Sequence, residues 1–430
     1  MAFGSLWRLS ALGIAIAIAA SSARSQEPNG LRGHGGPVRA IAVMPDGAVA
    51  SAGFDGSIIL WDMAAGRATR VLRFHDTAVN ALIARPDGCL ISGGEDARIA
   101  VWCGDAVAPG EVMTGHTGPV SALAFDGRAI VSGSWDGTAR IWQQPSPPKT
   151  FAEHAAPLTS IAVASDGAAI LSTSYDGRVF LSAMNGNGAA LSLSLPSPVN
   201  GSAALAGGHF LLACADGRIR EVDHKLQVVR EIELPDGPLT TVAVSPDGRT
   251  IATGGMRTPV TLIDWPSSAV RSRILGPGLP LWAIAFSRDG RELYTGGADR
   301  AVRRFDVATG QAIGEEIVPS DAAVLTETKD RGAQVFRACR ACHGLTAGDT
   351  NLAGPTLHQI MGRRIASAPG YAYSAPFKTL DIVWTPETIS KLFDLGPNAF
   401  TPGTKMPEQR ITDPEDRKAL VEWLARVTRP

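Results

Sequence analysis

Apolar and polar residues alternate in short stretches from about residue 30 to residue 320, and turn-forming residues interrupt the alternation every few positions. The segments VRAIAVMPDG, LTTVAVSPDG and LWAIAFSRDG are examples. Alternation with a period of two places every second side chain on one face of an extended chain. This part of the sequence therefore predicts short, half-buried β-strands.

The strand pattern repeats along the chain. The segments SAGFDGSIILWD, ISGGEDARIAVW and VSGSWDGTARIW each contain a turn with an aspartate, and the corresponding positions recur at intervals of 40 to 42 residues. These positions are Asp55, Asp96, Asp136, Asp176, Asp216, Arg257 and Asp299. A unit of this size cannot bury its own faces, so seven units predict a ring of four-stranded blades, an all-β propeller.

A ring of blades needs a strand from elsewhere in the chain to complete its last blade, because an open ring exposes sheet edges. Two segments are candidates for this strand. One is the segment before His34, and the other is residues 311–318.

A helical pattern replaces the strand pattern after about residue 328. Gly332 and Phe336 share one helix face, where a glycine permits the close approach of a second helix. The expected partner is the last helix, which begins with Asp413 as N-cap followed by Pro414. Its apolar stripe consists of Leu420, Trp423 and Leu424. These residues predict a small all-α domain at the end of the chain.

The N-terminus has the pattern of a signal peptide. Arg8 precedes an apolar run over residues 9–20, and small residues follow at 23–25. We therefore expect a mature chain that begins near Gln26, export, and a periplasmic location. An uncleaved anchor is the alternative, although the run is short for a bilayer span, which needs about 20 residues. No later segment has a transmembrane pattern.

Composition and charge are those of an ordinary globular protein. The 430 residues are 45% hydrophobic with a net charge of −1, which gives no indication of nucleic-acid binding. Residues from 329 onward contain 14 Lys plus Arg against 10 Asp plus Glu, or +4, whereas the preceding part contains 26 against 31, or −5. A positive C-terminal domain favours an acidic redox partner or its own acidic propeller. A merely soluble surface is the alternative.

The most informative chemical motif is Cys339-x-x-Cys342-His343. In C-x-x-C-H, two thiols add to the two vinyl groups of one haem, and the adjacent imidazole reaches the iron. The motif taken alone leaves a zinc site, a redox dithiol or a chance match open.

Three further cysteines lie in the repeat region. Cys89 and Cys103 flank a predicted hairpin, so their thiols should lie nearly opposite each other on adjacent strands. They form either a cross-strand disulfide or two separate, reduced thiols. Cys214 is expected to be a small buried residue.

The repeats resemble the WD-repeat family of β-propellers. Trp61-Asp62 is a literal W-D pair, and the family's histidine precedes the turn aspartate by 20 to 22 residues in four repeats, as His34, His75, His116 and His154. The resemblance implies that each histidine joins its turn aspartate, a serine and a tryptophan in a buried hydrogen-bond network. The serines are Ser51, Ser92 and Ser132. A structural role is therefore preferred to a metal or acid–base role.

The C-terminal domain resembles the class I cytochromes c of the mitochondrial and bacterial short-chain type, over residues 330–428. The resemblance implies one covalent haem c, with Cys339 and Cys342 as thioether links and His343 and Met406 as iron ligands. It also implies that Pro355 accepts a hydrogen bond from the His343 ring. Three residues are implied near the haem propionates, namely Arg363, Tyr373 and Trp384. His358 and Met361 are competing ligands, but both belong to the loop near Pro355. Phe393 stands where many relatives have a tyrosine.

These observations predict a signal peptide over 1–25, a seven-bladed WD-repeat propeller over 26–318, a linker over 319–328 and a cytochrome c domain over 329–430. The expected function is electron transfer by an exported monohaem cytochrome whose propeller docks a redox protein. The alternative is an oxidoreductase with a second cofactor or substrate site in the propeller. Such a protein would resemble the cytochrome-cd-type nitrite reductases or the quinoprotein dehydrogenases that join a propeller to cytochrome c, but the propellers of those enzymes have eight blades. A scaffold in which haem acts as sensor or stabiliser is a third possibility.

Overall fold

The computed structural model describes residues 28–316 and 330–428. The exceptions are positions 144, 188, 236, 257–259, 275–279, 338, 341, 348–351, 353, 370, 372, 374, 403, 405, 407 and 408. The predicted signal peptide, the predicted linker and Arg257 lie outside the described residues.

Seven sheets form the predicted ring, and their strands pair antiparallel except where β29 joins the seventh sheet. The first three blades contain β2 (Val38–Val43), β3 (Val49–Gly53), β4 (Ser57–Asp62), β5 (Arg67–Arg73), β6 (Val79–Ala84), β7 (Leu90–Gly94), β8 (Ile99–Trp102), β9 (Glu111–Met113), β10 (Val120–Phe125), β11 (Ile130–Ser134), β12 (Thr138–Trp142) and β13 (Lys149–Glu153). The next two contain β14 (Leu158–Val163), β15 (Ala169–Ser174), β16 (Arg178–Ala183), β17 (Leu191–Ser194), β18 (Val199–Ala204), β19 (Phe210–Cys214), β20 (Arg218–Val222) and β21 (Val228–Glu233).

The last two blades complete the ring. Blade six contains β22 (Leu239–Val244), β23 (Thr250–Gly255), β24 (Val260–Asp264) and β25 (Ala269–Ile274), and blade seven contains β26 (Leu281–Phe286), β27 (Glu292–Gly297), β28 (Ala301–Asp306), β1 (Pro28–Arg32) and β29 (Glu315–Glu316). Apolar side chains on facing sheets of neighbouring blades bury one another, which is why each repeat depends on the next.

Both candidate segments contribute to ring closure. Strand β1 pairs antiparallel with β28, with Leu31 opposite Val302, and therefore supplies the fourth strand of blade seven. Strand β29 then pairs in parallel with the outer side of β1. Strand β1 thus covers the open edge of β28, and β29 covers the outer edge of β1.

The predicted hydrogen-bond network is present, and blade three shows it completely. His116 Nδ1 lies 2.8 Å from Asp136 Oδ2, and Ser132 Oγ lies 2.7 Å both from His116 Nε2 and from Trp142 Nε1. Burial lowers the pKa of His116, so the ring is neutral and its Nε2 accepts the serine hydroxyl. Burial alone would raise the pKa of Asp136, but hydrogen bonds from Thr138, the Thr117 backbone and His116 hold it well below its usual value. Blades one and two repeat this arrangement.

Blade four has an incomplete version of the network. His154 Nε2 lies 2.9 Å from Ser172 Oγ, but its Nδ1 is 3.8 Å from Asp176 Oδ1. Ser182 stands ten residues after Ser172, where the first three blades have tryptophan, and its buried hydroxyl has no hydrogen-bond partner among the described residues. Neighbouring blades therefore provide a natural comparison of the same site with and without tryptophan.

The hairpin of blade two brings its flanking cysteines together. Leu90 lies opposite Trp102 in the β7–β8 ladder, so Cys89 and Cys103 follow as the next pair. They form a disulfide with Cα atoms 4.4 Å apart. Cys214 is fully buried, as expected, and burial raises the pKa of its thiol to about 11.

The C-terminal domain is helical. Its helices are α1 (Arg331–Phe336), α2 (Ala375–Thr379), α3 (Pro386–Leu395), α4 (Pro397–Phe400) and α5 (Pro414–Val427). Thr385 caps α3 through a reciprocal pair of hydrogen bonds with Thr388, and Asp413 accepts the Glu415 amide at the start of α5, as the sequence predicts. None of the helices in the described ranges is both long and apolar enough to cross a membrane.

Helices α1 and α5 cross at Gly332. A Cβ atom at Gly332 would lie 2.2 Å from the Ala419 carbonyl oxygen and 2.4 Å from Trp423 Cβ. The Phe336 and Trp423 rings pack beside this crossing with their centroids 4.9 Å apart. The glycine therefore sets the helix separation that shapes one wall of the domain's core.

Candidate functional site

A largely apolar cavity occupies the C-terminal domain. Its walls come from the segment after α1, the loop before α2, helices α3 and α5, and the segment after α4. All eight predicted site residues line it, namely Cys339, Cys342, His343, Pro355, Arg363, Tyr373, Trp384 and Met406. The tertiary structure thus brings together residues that the sequence spreads over 68 positions, from 339 to 406.

His343 is oriented by the loop that follows it. Its Nδ1 donates to the Pro355 carbonyl at 2.8 Å, and burial lowers the pKa of the imidazole. A neutral ring whose Nδ1 carries the proton has an unprotonated Nε2, the atom that a metal ligand requires. A Cβ atom at Gly354 would lie 2.5 Å from His343 Cε1, so only glycine allows this close approach. The loop therefore fixes both the tautomer and the ring position.

The two thiols stand in the turns that follow α1. Helix α1 ends at Phe336. Beyond it, the Cys339 amide donates to the Phe336 carbonyl at 2.8 Å, and the His343 amide donates to the Cys339 carbonyl at 3.1 Å. Burial raises the pKa of Cys339 and of Cys342 to about 12. Burial in this apolar wall favours the uncharged form of both thiols.

The donor set argues against a zinc site. Within the described ranges, no group of three or more His, Cys, Asp or Glu residues is arranged to hold a metal ion. Two thiols, an imidazole with a usable Nε2 and a thioether around one apolar cavity instead fit a covalently attached haem. Of the readings that the motif alone leaves open, haem attachment agrees with the geometry.

Met406 follows α4 in the chain and lines the cavity, packed against the apolar core. Its amide donates to Thr404 Oγ1 at 3.1 Å, which orders the backbone at this point. His358 and Met361, the competing ligands, line a separate groove on the other side of their loop. The cavity-lining thioether is therefore the one that the family resemblance implies.

The three residues expected near the propionates occupy one side of the cavity. Arg363 donates to the Thr356 carbonyl at 2.7 Å and to the His358 carbonyl at 2.8 Å, so its guanidinium is held by the loop. The Tyr373 hydroxyl accepts the Ala368 amide at 3.4 Å. Backbone hydrogen bonds join Trp384 to the segment around Arg363.

Several cavity-lining residues were not predicted, and two of them, Tyr371 and Asp55, bear on the site's environment. Tyr371 stands two positions before Tyr373, and both rings line the cavity with their centroids 4.7 Å apart. The spacing of two residues from a predicted site residue was a usable signal. Asp55 also lines the cavity, although it belongs to blade one. No feature of the sequence connects Asp55 with the C-terminal domain.

Comparison with known proteins agrees with this division of the chain. The family model described as WD domain, G-beta repeat matches residues 26–62, 66–103, 109–143, 145–181 and 271–306. A crystal structure of the WD40 β-propeller domain of Doa1 superposes with a TM-score of 0.59 at 26% identity, covering 65% of this chain and 95% of that one.

The C-terminal domain has its own relatives. The cytochrome c family model matches residues 330–428. Cytochrome c of Cochliobolus lunatus is 36% identical over 100 residues, which are 23% of this chain and 92% of that protein. Cytochrome c-554 of Methylosinus trichosporium is 36% identical over 119 residues, 28% of this chain and 84% of the relative. The chain is therefore a seven-bladed WD40-repeat propeller joined to a domain that belongs to the cytochrome c family.

Proposed function

We propose that this protein is an exported monohaem c-type cytochrome that carries electrons, and that its propeller docks a redox partner. The observation that carries the proposal is the His343 geometry. Its Nδ1 donates to the Pro355 carbonyl at 2.8 Å, which leaves Nε2 for iron beside two neutral thiols and a thioether. When bound, haem c supplies one-electron exchange between Fe(III) and Fe(II).

Each residue has a defined task in this proposal. Cys339 and Cys342 would hold the porphyrin through thioether bonds, and His343 and Met406 would supply the two protein ligands of the iron. Two protein ligands would leave no coordination position for a substrate, and a neutral thioether favours the reduced iron. This ligand set suits a carrier better than a catalyst.

The propeller offers a face for partner docking next to the haem cavity. Phe54, Trp135 and Tyr175 immediately precede the turn aspartates of blades one, three and four, so the repeat places them on one face of the ring. They are 45%, 43% and 48% exposed, respectively, and large exposed aromatics are the usual anchors of protein interfaces. Asp55, which lines the haem cavity, belongs to the same face.

The Met406→Ala variant tests the proposed ligand set. The wild-type protein, prepared from the periplasm of cells able to attach haem and expected to begin near Gln26, should have the spectrum of one low-spin haem c with the weak methionine–iron band. The variant should lose that band and have a lower midpoint potential, because a soft ligand that favours Fe(II) is absent. Met361→Ala is the matched control and should retain the band. An additional chromophore in the wild-type protein would support the oxidoreductase alternative instead.

A double variant, Trp135→Ala with Tyr175→Ala, tests partner docking. Its haem should be reduced by a periplasmic extract about tenfold more slowly than that of the wild type, equal to roughly 1.4 kcal/mol of lost interaction. Ascorbate, which needs no docking surface, should reduce both at the same rate. Val112→Ala with Val229→Ala removes exposed apolar side chains from outer strands and serves as the control. Equal rates for the two double variants would refute docking through this face.

A further inference from the structure

Residues of the propeller contribute to the opening of the haem cavity. Asp55, in the turn between β3 and β4, lines the cavity together with Cys342 and His343. Its carboxylate is anchored within blade one, because it accepts the Gly35 amide at 2.7 Å and His34 Nδ1 at 3.1 Å. A fixed part of the propeller therefore forms part of the cavity wall.

Arg73 joins the two domains at the same place. It is the last residue of β5, and its guanidinium carbon lies 4.2 Å from the centroid of the Tyr371 ring. Its Nη2 also donates to the Leu352 carbonyl, in the loop between His343 and Pro355. The contact thus reaches both chain segments that flank the cavity on this side: the loop that orients His343 and the segment that carries the tyrosines.

Arg73 and Tyr371 are both partly buried where the two domains meet. Burial lowers the pKa of Arg73, and burial raises the pKa of Tyr371. An arginine remains charged under such conditions, so the contact holds a cation close to the cavity in a partly desolvated setting, where a cation–π pair is stronger than on an open surface.

We propose that the propeller is itself a docking partner of the haem domain, and that Arg73 is a positioning residue that closes the haem cavity with blade one. The proposal rests on the haem attachment proposed above. In the docked state, the Arg73 cation and the exclusion of water both disfavour the additional positive charge of Fe(III) and therefore raise the midpoint potential. Because coupling is reciprocal, reduction of the iron strengthens docking and oxidation weakens it.

The decisive experiment compares Arg73→Glu with Arg70→Glu in the full-length, haem-loaded protein. Arg70 lies on the same strand, but it donates to the Gly104 carbonyl at 2.5 Å and pairs with Asp105, so it faces blade two. We expect Arg73→Glu to lower the ratio of docked to undocked molecules at least tenfold, roughly 1.4 kcal/mol. Its midpoint potential should fall, and its radius of gyration from small-angle X-ray scattering should rise. Arg70→Glu should leave both unchanged.

Two further measurements separate a positioning role from a general charge effect. Arg73→Lys keeps the charge but lacks the planar guanidinium, so its potential should lie between those of the wild type and Arg73→Glu. Wild-type protein should be more compact when reduced than when oxidised. Equal potentials and equal radii for the Arg73 and Arg70 variants would overturn the inference. Absence of a low-spin haem c spectrum from the wild type would instead refute the proposed function.

Discussion

Gly332→Ala is expected to destabilise the haem domain, although helix propensity alone predicts the opposite. Alanine stabilises an exposed helix by about 1 kcal/mol relative to glycine. At this crossing, however, the new Cβ would lie 2.2 Å from the Ala419 carbonyl oxygen, a backbone atom that cannot rotate away. Helices α1 and α5 must separate, and overpacking of this kind costs about 1–3 kcal/mol or more. The steric effect should exceed the propensity effect.

The measurement is guanidinium unfolding followed at the methionine–iron absorption band, which reports the haem domain and not the propeller. Gln334→Ala, at an exposed position of the same helix, is the control and should change the midpoint little. Gly332→Val should destabilise the haem domain more than Gly332→Ala does, because valine is larger and β-branched. A Gly332→Ala protein at least as stable as the wild type would show that the two helices do not meet as closely as described.

Ser132→Ala should destabilise the propeller more than any single removal of an exposed side chain. The Ser132 hydroxyl bonds His116 Nε2 and Trp142 Nε1, each at 2.7 Å, inside a fully buried environment. Without this hydroxyl, the His116 Nε2 acceptor and the Trp142 Nε1 donor each lose a buried partner. Each such loss lowers the free energy of unfolding by about 1–3 kcal/mol. The expected total is therefore about 2–6 kcal/mol.

Blade four supplies the matched control. Ser172→Ala removes the equivalent hydroxyl, but among the described residues only His154 bonds to it, because Ser182 stands in the tryptophan position. Ser172→Ala should lower the free energy of unfolding by about half as much as Ser132→Ala does. Urea unfolding followed by tryptophan fluorescence gives both values, with haem absorption recorded in parallel to follow the other domain separately. Equal losses in the two variants would mean that the tryptophan contact contributes nothing.

The pattern of the sequence was sufficient for most of the fold because the repeat is local. In blades one to four the turn aspartate and its histidine lie 20 to 22 residues apart within one unit, so the family resemblance could imply the network of blade three without any knowledge of where the other blades lie. Ring closure was different. The sequence presented β1 and β29 as alternatives, whereas both are used, because β1 itself leaves an edge that β29 covers.

The cavity was predictable in its chemistry but only partly in its extent. Cys339, Cys342 and His343 are adjacent in the chain, and the family resemblance connected them with Met406. The tautomer of His343 and the neutral state of the thiols depend on burial and on the Pro355 carbonyl, which are properties of the packed domain. The tautomer could be expected from the resemblance, but only the geometry assigns it a cause.

By itself, the sequence determined the repeat, the number of blades, the capped helices and the haem-attachment motif, because each depends on residues that are close in the chain. Only the tertiary structure decided that Asp55 and Arg73 of the propeller lie at the haem cavity. Contacts between residues nearly 300 positions apart arise from the way two finished domains pack against each other, and no periodicity, spacing or motif in either domain records that packing.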